Sequence, residues 1–157
     1  LYQIISQRPD YSFVFTGPED DIFRRNRIHS LKNAYFTGQK KVDELPAYIA
    51  AYDVCINPQM VNEITDGNYP LKIDEYLAMG KPTVATSTHT MRNIFAGHTH
   101  LAINPEEWLA AIDRAVTEAD DKELAKQRIA FAETHSWGHS VKKIYDIIDK
   151  FLKERTT

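Results

Sequence analysis

The sequence predicts an α/β domain in which helices cover both faces of a doubly wound parallel sheet, with extra helices at the C-terminal end. Its apolar runs are short and continuous rather than alternating, as is typical of strands buried on both faces. Helical periodicities lie between these runs, and strand–helix alternation produces right-handed crossovers in a parallel sheet. A chain of 157 residues that is 43% hydrophobic can bury one such core.

The elements follow in order from the N-terminus. Residues 1–7 read as a helix with no strand ahead of it, although a doubly wound half normally begins with a strand. The predicted strands are residues 13–16, 34–37, 53–57, 83–86 and 99–103. Helices alone close the chain, marked by Trp108, Leu109, Ile112 and Val116; by Leu124, Arg128, Ile129 and Ala132; and by Val141, Ile144, Tyr145, Ile148 and Leu152. Trp137 is expected to pack the last helix onto the domain.

Residues 68–86 are the most informative stretch: a loop, a helix begun by proline, a glycine stop and a buried strand. Pro70 suits the first helical position, and Gly80 suits the residue just past the helix end. Pro82 then prevents continuation of the helix. The positions that should face the sheet are Ile73, Tyr76, Leu77 and Gly80, and those on another face are Lys72, Glu75 and Met79.

Lys72 and Glu75 are candidate binding residues. A lysine and a carboxylate near a helix start, where the amides of Tyr69, Leu71 and Lys72 are free, can bind an anion and a hydroxyl-bearing group together. The alternative is an ordinary solvated helix face on which the two side chains pair with each other.

Polar loops add to this candidate site. Residues 58–69 follow a buried strand and contain Asn62, Glu63, Thr65, Asp66, Gly67 and Asn68. Gly17 and Gly38 end two other strands, where glycine lets a ligand approach the backbone closely, although both can be simple turns.

Composition excludes several other classes. A net charge of -3 argues against a nucleic-acid-binding surface. No run approaches ~18 apolar residues, and no leader opens the chain, so an intracellular protein is expected. The one cysteine, Cys55, should pack as a small hydrophobe. His98 and His100 lack further ligands at metal-site spacing. The cluster Arg24, Arg25 and Arg27 is read as a solvated face, with a weak membrane-facing patch as the alternative.

One pattern carries a family resemblance: Pro70-x-Lys72-x-x-Glu75-Tyr76-x-Ala78-x-Gly80-Lys81-Pro82-x-Val84-Ala85. It resembles the signature of the C-terminal half of group 1 (GT-B) glycosyltransferases. Residues 8–18, 33–38, 44–56 and 135–137 resemble further family segments in the same order, so the likeness covers almost the whole chain.

The resemblance implies a Rossmann-like GT-B half that binds a nucleoside diphosphate sugar. Glu75 would accept hydrogen bonds from ribose hydroxyls and Lys72 would meet the diphosphate, with Asn68, Tyr69 and Leu71 beside them. Gly17 and Gly38 would approach the nucleobase. Many family members hold the sugar with a second glutamate eight positions before Glu75. Gly67 stands there in this sequence, so Asp66 and Glu63 are the substitutes considered.

The implied activity is transfer of a hexosyl group to an acceptor hydroxyl, retaining, independent of metal ions and without a cofactor, in cell-surface polysaccharide or glycan synthesis. The no-metal expectation agrees with the absence of any Asp-x-Asp in the sequence. Residues 1–157 would be one donor-nucleotide-binding domain excised from a longer chain, without the first strand, its basic pair and the N-terminal acceptor domain. Such a piece should be inactive alone. The longer protein would be cytoplasmic, at the inner face of the membrane. Whether it contacts the membrane peripherally is not decided by the sequence.

Two other functions stay open at the level of sequence. One is a non-catalytic nucleotide-sugar-binding module attached to another sugar-nucleotide enzyme, for example a UDP-sugar mutase. The other is a flavodoxin-like or dinucleotide-binding domain, which the absence of Gly-x-Gly-x-x-Gly opposes in its dinucleotide form.

Overall fold

The computed structural model describes residues 1–155 and confirms the α/β class with extra C-terminal helices. The strands are β1 (Phe13–Thr16), β2 (Ala34–Gly38), β3 (Cys55–Asn57), β4 (Thr83–Thr86) and β5 (His100–Ala102). The α-helices are α1 (Tyr2–Ser6), α2 (Asp21–Arg24), α3 (Leu45–Ala51), α4 (Leu71–Ala78), α5 (Pro105–Thr117), α6 (Lys122–Glu133) and α7 (Trp137–Arg155). A 3-10 turn spans Arg27–Ser30 and a π-helical turn spans Met91–Phe95.

All strand pairings are parallel, as predicted, but the strands form two sheets rather than one. β1 pairs with β2, and β4 lies between β3 and β5. Within residues 1–155, no strand joins β1 to β3. The predicted continuous sheet is therefore interrupted between these two edges.

β4 is the central strand of its sheet and is buried on both faces. Val84 belongs to an apolar cluster that includes Ile5 of α1 and Ile112 of α5, whereas Ala85 belongs to a second cluster with Leu77 of α4. Successive side chains of a strand point to opposite faces, so helices cover both sides of β4. The continuous apolar run of this strand predicted its surroundings correctly.

The burial expected of β1 and β2 is not reached on one face. Val14 and Tyr35 are partners in the β1–β2 register and are 38% and 50% exposed. Their apolar runs resemble that of β4, but among the described residues no helix covers this face enough to bury the pair.

The expectation that Trp137 packs onto the domain is wrong, because this side chain is 88% exposed at the start of α7. Val141, Ile144, Tyr145 and Ile148 further along α7 are exposed as well. An amphipathic pattern predicts a helix with an apolar face, but it does not specify a partner for that face within the same chain.

Cys55 packs as a small hydrophobe, as expected. The side chain is 4% exposed at the start of β3. Burial raises the pKa of its thiol to about 12, against the opposing charge of Lys81.

Candidate functional site

The termini of α4 fit their residues, with one small correction at the start. Pro70 has φ -88° and stands as the cap, so the helix begins one residue later than predicted, at Leu71. At the other end Gly80 has φ 71°, a left-handed conformation that favours glycine. Its N–H donates to the Leu77 carbonyl at 2.8 Å, and the N–H of Lys81 donates to the Tyr76 carbonyl at 3.0 Å. These two bonds form a Schellman motif, which fixes where the helix stops.

The predicted faces of α4 are confirmed. Ile73 and Leu77 are fully buried, whereas Lys72 and Glu75 are exposed. Among the described residues, the side chains of Lys72 and Glu75 make no hydrogen bond or ion pair with each other or with a third group. The surface ion pair considered as the alternative is therefore not formed, and both charges are available to a ligand.

The loop before α4 is an ordered turn. The Asn62 Oδ1 accepts the N–H groups of Ile64 and Thr65 at 3.0 and 2.9 Å, and the Asn62 carbonyl accepts the N–H of Asp66 at 2.9 Å. Glu63 lies within this turn with an exposed side chain. Asn68 is also exposed, two residues before the cap of α4. The turn thus presents both side chains to solvent near the start of α4.

Asp66 connects this loop to the segment that follows β4. Its Oδ1 accepts the N–H of His89 at 2.7 Å, and its carbonyl accepts the N–H of Thr90 at 3.3 Å. A second bond joins this loop to the end of β4 itself, because the Thr86 Oγ1 accepts the N–H of Gln59 at 2.8 Å. The Asp66 carboxylate therefore holds the loop before α4 against the segment that follows β4.

Tyr69, Asp74 and His135 form a cluster that the sequence did not indicate. The Tyr69 hydroxyl donates to Asp74 Oδ2 at 2.6 Å, and His135 Nδ1 lies 2.8 Å from Asp74 Oδ1. Tyr69 is 43% exposed, but partial desolvation of its hydroxyl, together with the bond to Asp74, raises its pKa well above the ordinary value. The cluster fixes the residue before Pro70 relative to α4 and to the turn that follows α6. Asp74 and His135 are 61 positions apart, so no local pattern could have paired them.

Gly17 and Gly38 meet at the carboxyl ends of β1 and β2. The N–H of Gly17 donates to the Gly38 carbonyl at 3.1 Å. Their φ angles are 153° and 70°, and a Cβ added to either would lie more than 4 Å from every other described atom outside the neighbouring residues. The backbone conformation explains both glycines, and the open space above them leaves the backbone accessible.

The predicted residues thus lie in two groups, both at carboxyl ends of parallel strands. Gly17 and Gly38 belong to the β1–β2 sheet, and the remaining residues lie after β3 on the other sheet; they are Glu63, Asp66, Asn68, Tyr69, Leu71, Lys72 and Glu75. This edge of a doubly wound sheet is where ligands bind.

A cavity of about 570 Å³ lies away from this edge. It is lined by residues around the amino end of β5 and by α5 and α6, including His98, His100 and Arg128. Glu118 pairs with Arg128 and also lies 3.1 Å from His100. These contacts tie β5, α5 and α6 together, so we assign the cavity walls a packing role.

No group of three or more His, Cys, Asp or Glu side chains in residues 1–155 is arranged to hold a metal ion. Within the same residues, no helix combines the length and apolar character that a membrane crossing requires.

Comparison with known proteins agrees with the resemblance. The family model described as Glycosyl transferases group 1 matches residues 1–118. TuaH of Bacillus subtilis, whose name describes a glycosyltransferase of teichuronic acid biosynthesis, is 28% identical to this chain over 137 residues. That match covers 83% of this chain and 34% of TuaH, so the chain spans about a third of this relative's length.

Proposed function

The chain belongs to the group 1 glycosyltransferases, and we propose that it is the donor-binding half of an enzyme that transfers a sugar from a nucleoside diphosphate sugar to an acceptor hydroxyl. The observation that carries this proposal is the exposed pair Lys72 and Glu75, which lacks protein partners in residues 1–155 and lies in the first turns of α4. The name of TuaH supports polysaccharide synthesis as the setting.

The chemistry of α4 suits a nucleoside diphosphate. The Glu75 carboxylate can accept two hydrogen bonds from the ribose hydroxyls. Lys72 supplies a positive charge for the diphosphate, and the N–H groups of Leu71 and Lys72 at the helix start stabilise the same negative charge. Charge that develops on the leaving diphosphate would be stabilised by these groups, the role that fixed dipoles play in transition states.

The neighbouring loops would complete the donor site. Gly17 and Gly38 leave their backbone open to a nucleobase, and Asn68 and Tyr69 flank the start of α4. Glu63 and Asp66 are the carboxylates nearest in sequence to Gly67, where the family's sugar-contacting glutamate would stand. Of the two, we favour Glu63, because one carboxylate oxygen of Asp66 already accepts the N–H of His89.

The remaining features of the reaction follow from the family resemblance. We propose a retaining hexosyl transfer that needs no metal ion and no cofactor, catalysed by a longer protein that also has an acceptor-binding domain. We further propose that this longer protein works in the cytoplasm, at the inner face of the membrane. In this scheme residues 1–157 bind the donor and transfer no sugar by themselves.

Calorimetric titration with nucleoside diphosphates tests the donor site. Glu75→Gln should weaken binding by about 1.5–3 kcal/mol, roughly 10- to 150-fold, because a hydrogen bond to a charged group is lost. The 2′-deoxy analogue should bind wild type poorly and lose little further on this substitution. Glu106→Gln is the matched control, since Glu106 is an exposed helical glutamate of α5.

Lys72→Ala should weaken a nucleoside diphosphate more than the corresponding nucleoside. The salt dependence of diphosphate binding should also decrease, because an exposed charge–charge attraction is removed. Both variants should keep the wild-type Tm, since both side chains are exposed. If both bind nucleoside diphosphates as wild type does, the donor-site assignment is wrong.

A transfer assay separates the enzyme from a binding module. The longer protein should transfer sugar from a nucleoside diphosphate donor, whereas residues 1–157 should bind the nucleotide without transfer. Nucleotide binding by the longer protein with no transfer to any acceptor would favour the non-catalytic module instead.

A further inference from the structure

We propose that His135 is a positioning residue of the donor site. Through Asp74 it holds Tyr69, and with Tyr69 the stretch of chain that leads into α4, so that the free N–H groups at the helix start are aimed at the diphosphate. This inference rests on the proposed donor site, whose residues otherwise end with Glu75 of α4. It gives a role to the segment that joins α6 to α7, which the donor site does not otherwise use.

Both oxygens of the Asp74 carboxylate are occupied. Oδ2 accepts the Tyr69 hydroxyl at 2.6 Å, and Oδ1 lies 2.8 Å from Nδ1 of His135. We assign Nδ1 as the donor of the second bond, because an ionised carboxylate can only accept. Both distances are shorter than the commonest values for their type, as is typical of hydrogen bonds to a charged group. Asp74 therefore connects Tyr69 to His135.

Packing holds the His135 ring in place. It lies edge-on to Phe131 of α6, with 4.6 Å between centroids, and edge-on to the fully buried Phe95 at 5.7 Å. The ring of Tyr69 lies 5.5 Å from the same Phe95. The side chains of His135 and Asp74 are only 22% and 20% exposed, so water screens this pair less than it screens a surface ion pair. His135 is thus a fixed anchor for the Asp74 carboxylate.

The bond between Tyr69 and Asp74 fixes how the chain enters α4. Tyr69 stands just before the cap residue Pro70, and Asp74 is the fourth residue of the helix. A contact between these two positions sets the entry angle of the chain, here through a hydrogen bond instead of the usual apolar contact. Within residues 1–155, the N–H groups of Leu71 and Lys72 have no protein partner. The entry angle therefore decides where these two N–H groups point.

The same bonds control the charge of Asp74. This carboxylate lies in the first turns of α4, at the helix end that would receive the diphosphate. Its partner His135 follows α6, so the carboxylate is held on the half-buried flank of α4, away from the exposed Lys72 and Glu75. A carboxylate released from His135 could approach the diphosphate and repel it. Loss of the bond should therefore weaken a nucleoside diphosphate more than the corresponding nucleoside.

Two substitutions separate the hydrogen bond of His135 from its packing. His135→Asn keeps an N–H donor near the position of Nδ1 but loses the ring, whereas His135→Phe keeps a ring without a donor. In calorimetric titration of residues 1–157, His135→Phe should weaken the nucleoside diphosphate that wild type binds best by about five- to ten-fold. His135→Asn should bind it almost as wild type does. The opposite ranking would overturn the proposal, because ring packing and not the hydrogen bond would then matter.

Tyr69→Phe removes the other bond to Asp74 and keeps the ring. It should weaken the same nucleoside diphosphate to a similar degree. Since both substitutions act through Asp74, the double variant with His135→Phe should bind little worse than either single variant. Additive losses would contradict this connection. The control is His139→Phe, a change to an exposed histidine of α7, which should leave the affinity at the wild-type value.

A measurement without nucleotide keeps this inference separate from the donor site. In NMR spectra of the free chain, His135→Phe should shift the amide signals of Leu71 and Lys72, and His135→Asn should leave them near their wild-type positions. Unchanged signals in His135→Phe would overturn the proposal, whether or not wild type binds a nucleotide. If the signals move but wild type binds no nucleoside diphosphate, the donor-site proposal fails, and the hold of His135 on the start of α4 is supported.

Discussion

His98 is a half-buried titratable residue that links the protein's stability to pH. Its ring stacks on Phe131 with 3.9 Å between centroids. Burial lowers the pKa of His98, and the nearby charges of Arg128 and His135 lower it further. The folded state therefore binds this proton less readily than the unfolded chain does.

The sign of the pH effect follows from this difference. The stabilising contribution is complete above the unfolded pKa of about 6.5 and is lost as the pH falls toward the lower folded pKa. Wild-type Tm should therefore fall between about pH 7.5 and pH 5.5, and His98→Phe should reduce that fall. His139→Phe, which changes an exposed histidine of α7, should leave the wild-type pH dependence in place. An equal fall for wild type and His98→Phe would contradict this assignment.

At the scale of elements, the C-terminal stop of α4 is a point of strain for any residue other than glycine. Gly80→Ala would place a Cβ at φ 71°, with its nearest neighbour, the Cβ of Ala125 in α6, at 3.1 Å. Left-handed backbone and close contact together should lower Tm by roughly 3–8 °C in thermal unfolding.

Gly97→Ala is the matched control for this substitution. Gly97 has no positive φ, and a Cβ there meets no atom within 4 Å. The Tm of Gly97→Ala should stay near that of wild type. Equal changes in Tm for the two variants would contradict this prediction, because they would show that α4 and α6 relax around a Cβ added at Gly80.

The two tryptophans provide a second test of the elements. Trp108 of α5 is 5% exposed and Trp137 of α7 is 88% exposed. Trp108→Ala should reduce the free energy of unfolding by about 3–5 kcal/mol. Trp137→Ala should change it by only about 0.5 kcal/mol, as surface substitutions do. Denaturant titration of both variants measures the contrast, and a large loss for Trp137→Ala would contradict the exposed position of this side chain.

At the scale of the whole molecule, sequence reasoning succeeded where a feature depends on neighbours along the chain. Apolar runs predicted every strand that the structure describes in residues 1–155, and Pro70 and Gly80 bounded α4 to within a residue, because capping depends on local backbone conformation. Sequence reasoning failed for contacts between residues that are far apart in the sequence. The Asp66–His89 bond and the Asp74–His135 pair join residues 23 and 61 positions apart. The exposure of Val14 depends on which elements pack against its face of β1. A local sequence pattern does not contain that information.

The burial of Cys55 controls how fast its thiol can be chemically modified. Only the thiolate attacks a disulfide reagent, and a thiol with a pKa of about 12 inside the core supplies almost none of it. Modification of this one cysteine must therefore wait until β3 leaves the core. A colorimetric disulfide reagent, at a concentration high enough for its reaction to outpace the return of β3, should modify the native chain at the rate of that opening and the denatured chain at once. Cys55 is thus an intrinsic probe of how β3 leaves the core, and the measurement needs no added label.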